Sequence, residues 1–251
     1  MRQTRLLRLE YRAHLLVLLL IFGAVVAARA ASPDTDRVAT ARAQRMSAVR
    51  ERCKKSALPY PPRELFIRAF KSEGEVEVWA RERSGPFARI ALFPVTAKSG
   101  ALGPKRKQGD RQVPEGCYRV VAFNPRSKFH LSLALNYPNP SDRVRSDRAR
   151  PGADIYIHGS NRSIGCLPLG DPAIEELYLL ALDVRARSQR DIPVHIFPAR
   201  MSGEVWNNAR AHHPEHAAFW SELDPIYEAF ETKQVVPQVE ITAGGAYRLR
   251  Q

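Results

Sequence analysis

Cysteine is scarce in this sequence, with three residues in 251, and no C-x-x-C pair occurs. That excludes a disulfide-stapled miniprotein and a four-thiolate zinc site. Internal repeats and low-complexity tracts are absent, which excludes solenoids and disordered linker proteins. No apolar run reaches the roughly 20 residues that a membrane-spanning helix needs. Acidic residues are also in deficit: 26 Asp plus Glu stand against 39 Lys plus Arg, a formal net charge of +13. With 44% hydrophobic residues the composition is that of a globular chain long enough to bury a core.

The charge is unevenly placed. Residues 1–30 hold five arginines and one acid, Glu10, so a net charge of about +9 remains without them. Arg2, Arg5, Arg8 and Arg12 precede an uninterrupted apolar stretch over residues 15–27, and Ala28-Arg29-Ala30 follows. This is the layout of a secretory signal peptide, with an uncleaved anchor as the alternative. An exported basic protein is expected to meet an anionic envelope polymer or a membrane surface. Nucleic acid is not expected, because zinc-finger spacing, aromatic RNP-like motifs and basic heptads are all missing.

The remainder reads as a mainly β unit with flanking helices. Residues 34–57 carry helix formers with Val38, Ala41, Met46 and Val49 among polar positions and predict a surface helix. Pro61-Pro62 ends it. From Glu64 the apolar period becomes two, and Leu65, Ile67 and Ala69 followed by Val76, Val78 and Ala80 across a Ser72-Glu73-Gly74 turn predict a hairpin. Strands are expected over residues 88–95, 118–123, 130–135, 155–158 and 192–197. Asp171 as cap and Pro172 at the first position start a helix whose apolar face is Ile174, Leu177, Tyr178 and Ala181. Near the C-terminus, residues 214–232 carry a helical stripe of Phe219, Leu223, Ile226, Tyr227 and Phe230, and a short strand near Val239-Glu240-Ile241 follows.

The stretch that carries chemistry is Ile155-Tyr156-Ile157-His158-Gly159-Ser160-Asn161-Arg162-Ser163-Ile164-Gly165-Cys166. A strand delivers His158 at its end, Gly159 permits a sharp departure, and the arc returns to Gly165-Cys166. Such a loop can bring an imidazole within reach of a thiol, as nucleophilic catalysis by cysteine requires. Glycine before the thiol lets substrate approach and leaves backbone N–H groups available to an oxyanion. On spacing alone, a buried structural Cys and a structural His remain the alternative.

The pattern His-Gly, three residues, Ser-x-Gly-Cys resembles the signature of the L,D-transpeptidase family, exported enzymes with a YkuD-type catalytic domain that act on peptidoglycan. Gly109-Asp110-Arg111-Gln112-Val113-Pro114-Glu115-Gly116, Asn124-Pro125, Tyr137-Pro138-Asn139, Asp142-Arg143 and Cys166-Leu167-Pro168-Leu169-Gly170-Asp171 are similar to the YafK-like branch of murein enzymes. The resemblance spans about residues 59–200. It implies a YkuD-like β-sandwich catalytic domain over residues 59–201. Residues 1–30 would then be signal peptide, 31–58 an N-terminal helical segment, and 202–251 a C-terminal helix and strand extension.

Residue by residue, the resemblance implies Cys166 as nucleophile and His158 as general base. It implies Gly165 and Cys166 N–H groups as oxyanion donors, with Ser163 and Gly159 shaping the loop. Two positions depart from the common pattern: Ile164 stands where many members have a second histidine, a change the YafK-like branch shares, and Leu167-Pro168-Leu169 replaces a following arginine. Arg162 and Arg143 are therefore the candidates for a basic contact to substrate. The implied partners are peptidoglycan stem peptides and a wall-linked lipoprotein, with membrane contact only through the signal segment and no cofactor. The implied reaction is cross-linking or lipoprotein attachment through a Cys thioester. An amidase that detaches lipoprotein, and a noncatalytic wall-binding module, stand as alternatives.

Other residues read more simply. His212, His213 and His216 are expected to be solvated rather than a metal set. His195 sits within an apolar strand as a structural group, and Asp110 and Asp142 organise turns. Cys53 and Cys117 are either a disulfide or two buried thiols.

Overall fold

A computed structural model describes residues 33–250. The predicted signal segment, residues 1–30, lies outside the described residues. Among the described residues no helix is long and apolar enough to cross a membrane.

The centre is one eight-stranded sheet. Strands β1 (Glu64–Phe70) and β2 (Glu75–Arg81) form the predicted hairpin, with Phe70 opposite Glu75 across the turn, and β3 (Ala88–Pro94) extends it at one edge. On the other side β1 runs parallel to β8 (Ile192–Phe197), which pairs with β4 (Gly116–Asn124). The sheet continues through β5 (Ser132–Leu135), β6 (Tyr156–His158) and β7 (Leu167–Pro168), giving the order β3-β2-β1-β8-β4-β5-β6-β7. Its two edges meet again. Thr96, two residues beyond β3, donates its N–H to the Pro168 carbonyl of β7 at 2.9 Å and its hydroxyl to Ser160 O at 2.9 Å. The sheet is therefore curled, and its closing seam runs past the end of β6.

Both faces of β1 are buried, and that fixes where the helices sit. Leu65, Ile67 and Ala69 face one layer, while Phe66, Arg68 and Phe70 face the other, all at 1% exposure or less. The first layer holds α1 (Pro33–Lys55) and α3 (Asp171–Arg187). Ala41, Val49 and Cys53 of α1 and Ile174, Leu177, Tyr178 and Ala181 of α3 pack into one core with the sheet. The two helices are also tied by ion pairs from Arg45 to Glu175 at 2.7 Å and from Arg52 to Glu176 at 2.5 Å. The N-terminal helix thus has a buried face and is not only a surface element.

On the opposite face, α4 (Gly203–His212) is followed by a 3-10 turn (Pro214–His216) and α5 (Ala217–Lys233). The predicted stripe on α5 is buried in full; Phe70 and Phe197 of the sheet pack with Phe219, Leu223, Ile226 and Tyr227, while Phe230 joins Phe66 and Phe87. Strand β9 (Val239–Ile241) pairs with β10 (Tyr247–Leu249) in a separate two-stranded sheet. A short helix, α2 (Pro140–Arg145), is capped by Asn139 and Asp142 in a reciprocal box. The sheet-rich centre and flanking helices agree with expectation, with the layers built as helices against one continuous sheet. The start of α3 is adjusted by one residue: Gly170 is its cap, and the Asp171 carboxylate instead accepts the Ser160 N–H at 2.7 Å.

Candidate active site

The seam of the curled sheet is where the strands that carry the histidine and the cysteine pair. His158 ends β6 and Cys166 immediately precedes β7. The two strands pair in parallel, with Ile157 opposite Leu167 and His158 opposite Pro168. One step back along that ladder, Cys166 lies beside Tyr156, so the alternation of a strand puts Cys166 and His158 on the same face. The intervening loop is held at its His158 end, at Ser160, by Thr96 and Asp171.

His158 is buried, at 1% exposure, and its ring stacks on Phe129 with centroids 4.7 Å apart. Its Nδ1 lies 2.5 Å from the Gly159 carbonyl, an acceptor only, so Nδ1 carries the proton and Nε2 keeps its lone pair. Burial pushes the imidazole pKa down, partly offset by that carbonyl. The neutral ring with a free Nε2 is the form that a general base needs.

The Cys166 thiol is half-buried and donates to the Asp154 carbonyl at 3.5 Å rather than to the imidazole. Burial raises its pKa; the Tyr156 backbone and the Lys105 ammonium act in the opposite direction, and Asp154 adds to the rise. In this arrangement the thiol is protonated.

Ser163 organises the turn before the cysteine. Its hydroxyl oxygen accepts from Gly165 N at 3.1 Å and Cys166 N at 3.0 Å, lies 2.8 Å from Cys166 O, and sits 3.0 Å from the Ser99 hydroxyl. Gly165 holds φ of +132°, which a side chain would strain. The Gly165 and Cys166 N–H groups, the expected oxyanion donors, are both taken up here by the Ser163 hydroxyl, two and three residues back.

Cys166 borders two cavities. The smaller, about 250 Å³, is lined by apolar groups including Phe70, Val95, Leu102, Val113 and Leu167, with Lys71 at its wall. The larger, about 660 Å³, is lined by Lys105, Arg111, Arg150, Asp154, Ile155 and Ile164 among others. Ile164, in the position where a second histidine is common, is 74% exposed. Arg162 and Arg143, the candidates for a basic contact to substrate, are exposed and line neither of these two cavities. The sequence signal that could have found Lys105 is its place five residues before Asp110, whose turn-forming carboxylate it pairs with.

Beneath the smaller cavity lies a buried polar network. Lys71 Nζ reaches Glu115 Oε1 at 2.9 Å and donates to Gly103 O at 2.7 Å and Val113 O at 2.9 Å. Glu115, fully buried, also accepts Gly103 N at 2.7 Å and the Trp220 indole at 2.7 Å. Helix α5 is thereby fastened to the loop that walls the cavity. Sequence reasoning gave these residues no part in the site.

The remaining candidates are placed as follows. Asp110 accepts three backbone N–H groups, and Asp142 caps α2 with its pKa raised to about 6 by burial. His195 is buried against Phe66, and burial with nearby Arg68 drops its pKa to about 3. His213 and His216 gather around Glu215 at 3.2 and 3.5 Å, a set that could hold a divalent ion, while His212 turns to Asn208 O. Cys53 and Cys117 are free thiols.

Residues 75–196 match the model of the L,D-transpeptidase catalytic domain family, YkuD. The chain is 29% identical over 182 residues to YafK of Escherichia coli strains K12 and O157:H7, covering 72% of each chain; YafK is itself carried provisionally as an L,D-transpeptidase. Among solved structures, a point variant of Pgp2, a helical cell shape determining protein from Campylobacter jejuni, gives a TM-score of 0.44 at 18% identity over 66% of this chain. This chain spans 59% of that protein's own length. Bd1075 from Bdellovibrio bacteriovorus gives 0.39 at 22% identity, over 67% of this chain and 62% of that one.

Proposed function

We propose that the chain, whose residues 75–196 match the L,D-transpeptidase catalytic domain family, is an exported cysteine acyl-transferase acting on the stem peptides of peptidoglycan. The observation that carries the reading is a thiol on the border of two cavities, next to a strand that presents a neutral, tautomer-fixed histidine. An acyl transfer between two peptides needs that arrangement: one peptide donates its acyl group to the thiol, and a second delivers an amine to the same carbonyl.

In this reading Cys166 is the nucleophile and His158 Nε2 the base. The proton of the thiol passes to Nε2, and the thiolate attacks the carbonyl of the diamino acid at position three of a stem tetrapeptide. The imidazolium returns the proton to the leaving D-Ala amine, and a thioester remains. An amine from a second stem, a lipoprotein lysine, or water then resolves it. The Nδ1–H bond to Gly159 O orients the ring through this cycle, as the carboxylate does in a triad. Ser163 holds the two N–H groups next to the reacting carbonyl. The catalytic unit is taken as residues 59–201, with the C-terminal extension bracing it through Trp220 and residues 1–30 directing export.

Incubation of the purified protein with sacculi, followed by muropeptide analysis, tests the reading. New dimers joined between two diamino acids are the expected product. Release of free lipoprotein would replace it with the amidase reading, and binding without any new product would leave a wall-binding module.

A further inference from the structure

The larger cavity is cationic, and one of its cations is built in. Lys105 is only 4% exposed, yet it lines the cavity together with Cys166. Its ammonium donates to Asp110 Oδ1 at 2.5 Å and to Lys107 O at 3.0 Å. Asp110 is in turn fixed by N–H groups of Arg106 at 2.8 Å and of Lys107 and Gln112 at 3.0 Å. An ammonium has three protons, so one is left after the two protein acceptors. Opposite, Gly152 holds φ of +94°, and a Cβ there would lie 2.8 Å from Lys105 Cε. The glycine leaves the room that the lysine chain occupies.

The surroundings favour an anion. Arg111 and Arg150 share the cavity wall, and Asp154 is its one acid. The carboxylate of Asp110 spreads its charge over four donors, which weakens its hold on any one of them. Meanwhile Leu167-Pro168-Leu169 follows Cys166 directly, and Arg162 and Arg143 line neither cavity.

We propose that Lys105 is a specificity-determining residue that receives a carboxylate of the donor peptide in this cavity, with Asp110 and Gly152 as the residues that position it. The inference rests on the acyl-transfer reading for the identity of the peptide. Two carboxylates of a stem tetrapeptide fit the chemistry: the C-terminal one on the leaving residue, and the one on the side chain of the diamino acid. A purely structural role, in which Lys105 only staples the turn over residues 105–112, is the competing account.

Binding separates the two without requiring turnover. In full-length protein carrying Cys166→Ala, calorimetry is run with the free tetrapeptide, its C-terminal carboxamide and its side-chain carboxamide. One amide is expected to bind about tenfold or more weakly than the free acid, as for loss of a charged hydrogen bond. Which amide it is names the carboxylate. Adding Lys105→Met, or Lys105→Gln where the methionine variant fails to fold, should make the free acid and that amide equivalent, while Lys105→Arg should retain the preference. The ratio is internal to each preparation, so a partly folded sample does not imitate the result. Equal binding of all three peptides to protein with Lys105 intact would overturn the proposal. So would a preference that survives removal of the lysine, a uniform weakening that leaves the ratio unchanged, or no binding at all. If discrimination appears but protein with Cys166 intact forms no thioester, the acyl-transfer reading fails while the carboxylate site stands.

Discussion

At the scale of single residues, the account turns on two side chains whose ordinary titration is displaced by burial. Cys166 starts protonated, so its reactivity toward iodoacetamide should rise only above the usual thiol range in the free protein, and His158→Gln should leave that alkylation profile nearly in place while removing turnover. Mass spectrometry of the alkylated protein against pH, beside a turnover assay, checks both halves. His195 gives a stability prediction with a definite sign. Its folded pKa of about 3 lies below that of the unfolded chain, near 6.5, so the unfolded state binds the extra proton. Stability from this group is complete above about pH 6.5 and is lost as pH falls toward 3. Between pH 7 and pH 4.5 the loss should be about 2.5 kcal/mol, read from urea midpoints. His195→Gln should remove that part of the slope; an unchanged slope would contradict the assignment. That His158 and Cys166 fall on neighbouring strands was legible in sequence, because a His-Gly…Gly-Cys arc has local spacing. Their tautomer and the capture of two N–H groups by Ser163 were not, since these depend on where one carbonyl and one hydroxyl end up in space.

At the scale of elements, the strands and the two long apolar-faced helices could be read from periodicity, because Val76, Val78 and Ala80 or Ile174, Leu177 and Tyr178 follow a single period over their whole length. The short helix α2 and helix α4 could not. The first owes its existence to a capping box between Asn139 and Asp142, and the second buries only Trp206 and Ala209, too little to leave a stripe. The connection from β3 to β4 was equally opaque. It has no regular structure, and its shape is set by contacts distant in sequence, chiefly Lys71, Glu115 and Trp220. That network makes α5 part of the cavity wall. Glu115→Gln should leave the Lys71 ammonium buried without its counter-charge and cost about 3–5 kcal/mol, the range for breaking a buried pair. Adding Lys71→Met should recover part of the loss by removing the unpaired charge. Chemical denaturation of the single and double variants measures both, and a single variant as stable as the parent would contradict the network's role.

At the scale of the whole molecule, the positive balance and the curled sheet describe one design. The sheet closes on itself at Thr96 and Pro168, and the closure sets the cysteine loop between an apolar cavity and a cationic one. A polymer rich in carboxylates is a suitable partner for such a surface, and the few cysteines leave one thiol in the cavity with two others free elsewhere in the fold. The central claim is that Cys166 carries the acyl group. Its most direct test is intact mass spectrometry of the reduced protein after brief exposure to a stem tetrapeptide with no amine acceptor. The account predicts a mass increase equal to the peptide less its terminal D-Ala, located on Cys166 and absent from Cys166→Ala. A folded, reduced protein that gains no such mass, or that gains it equally when Cys166 is replaced, would contradict the account.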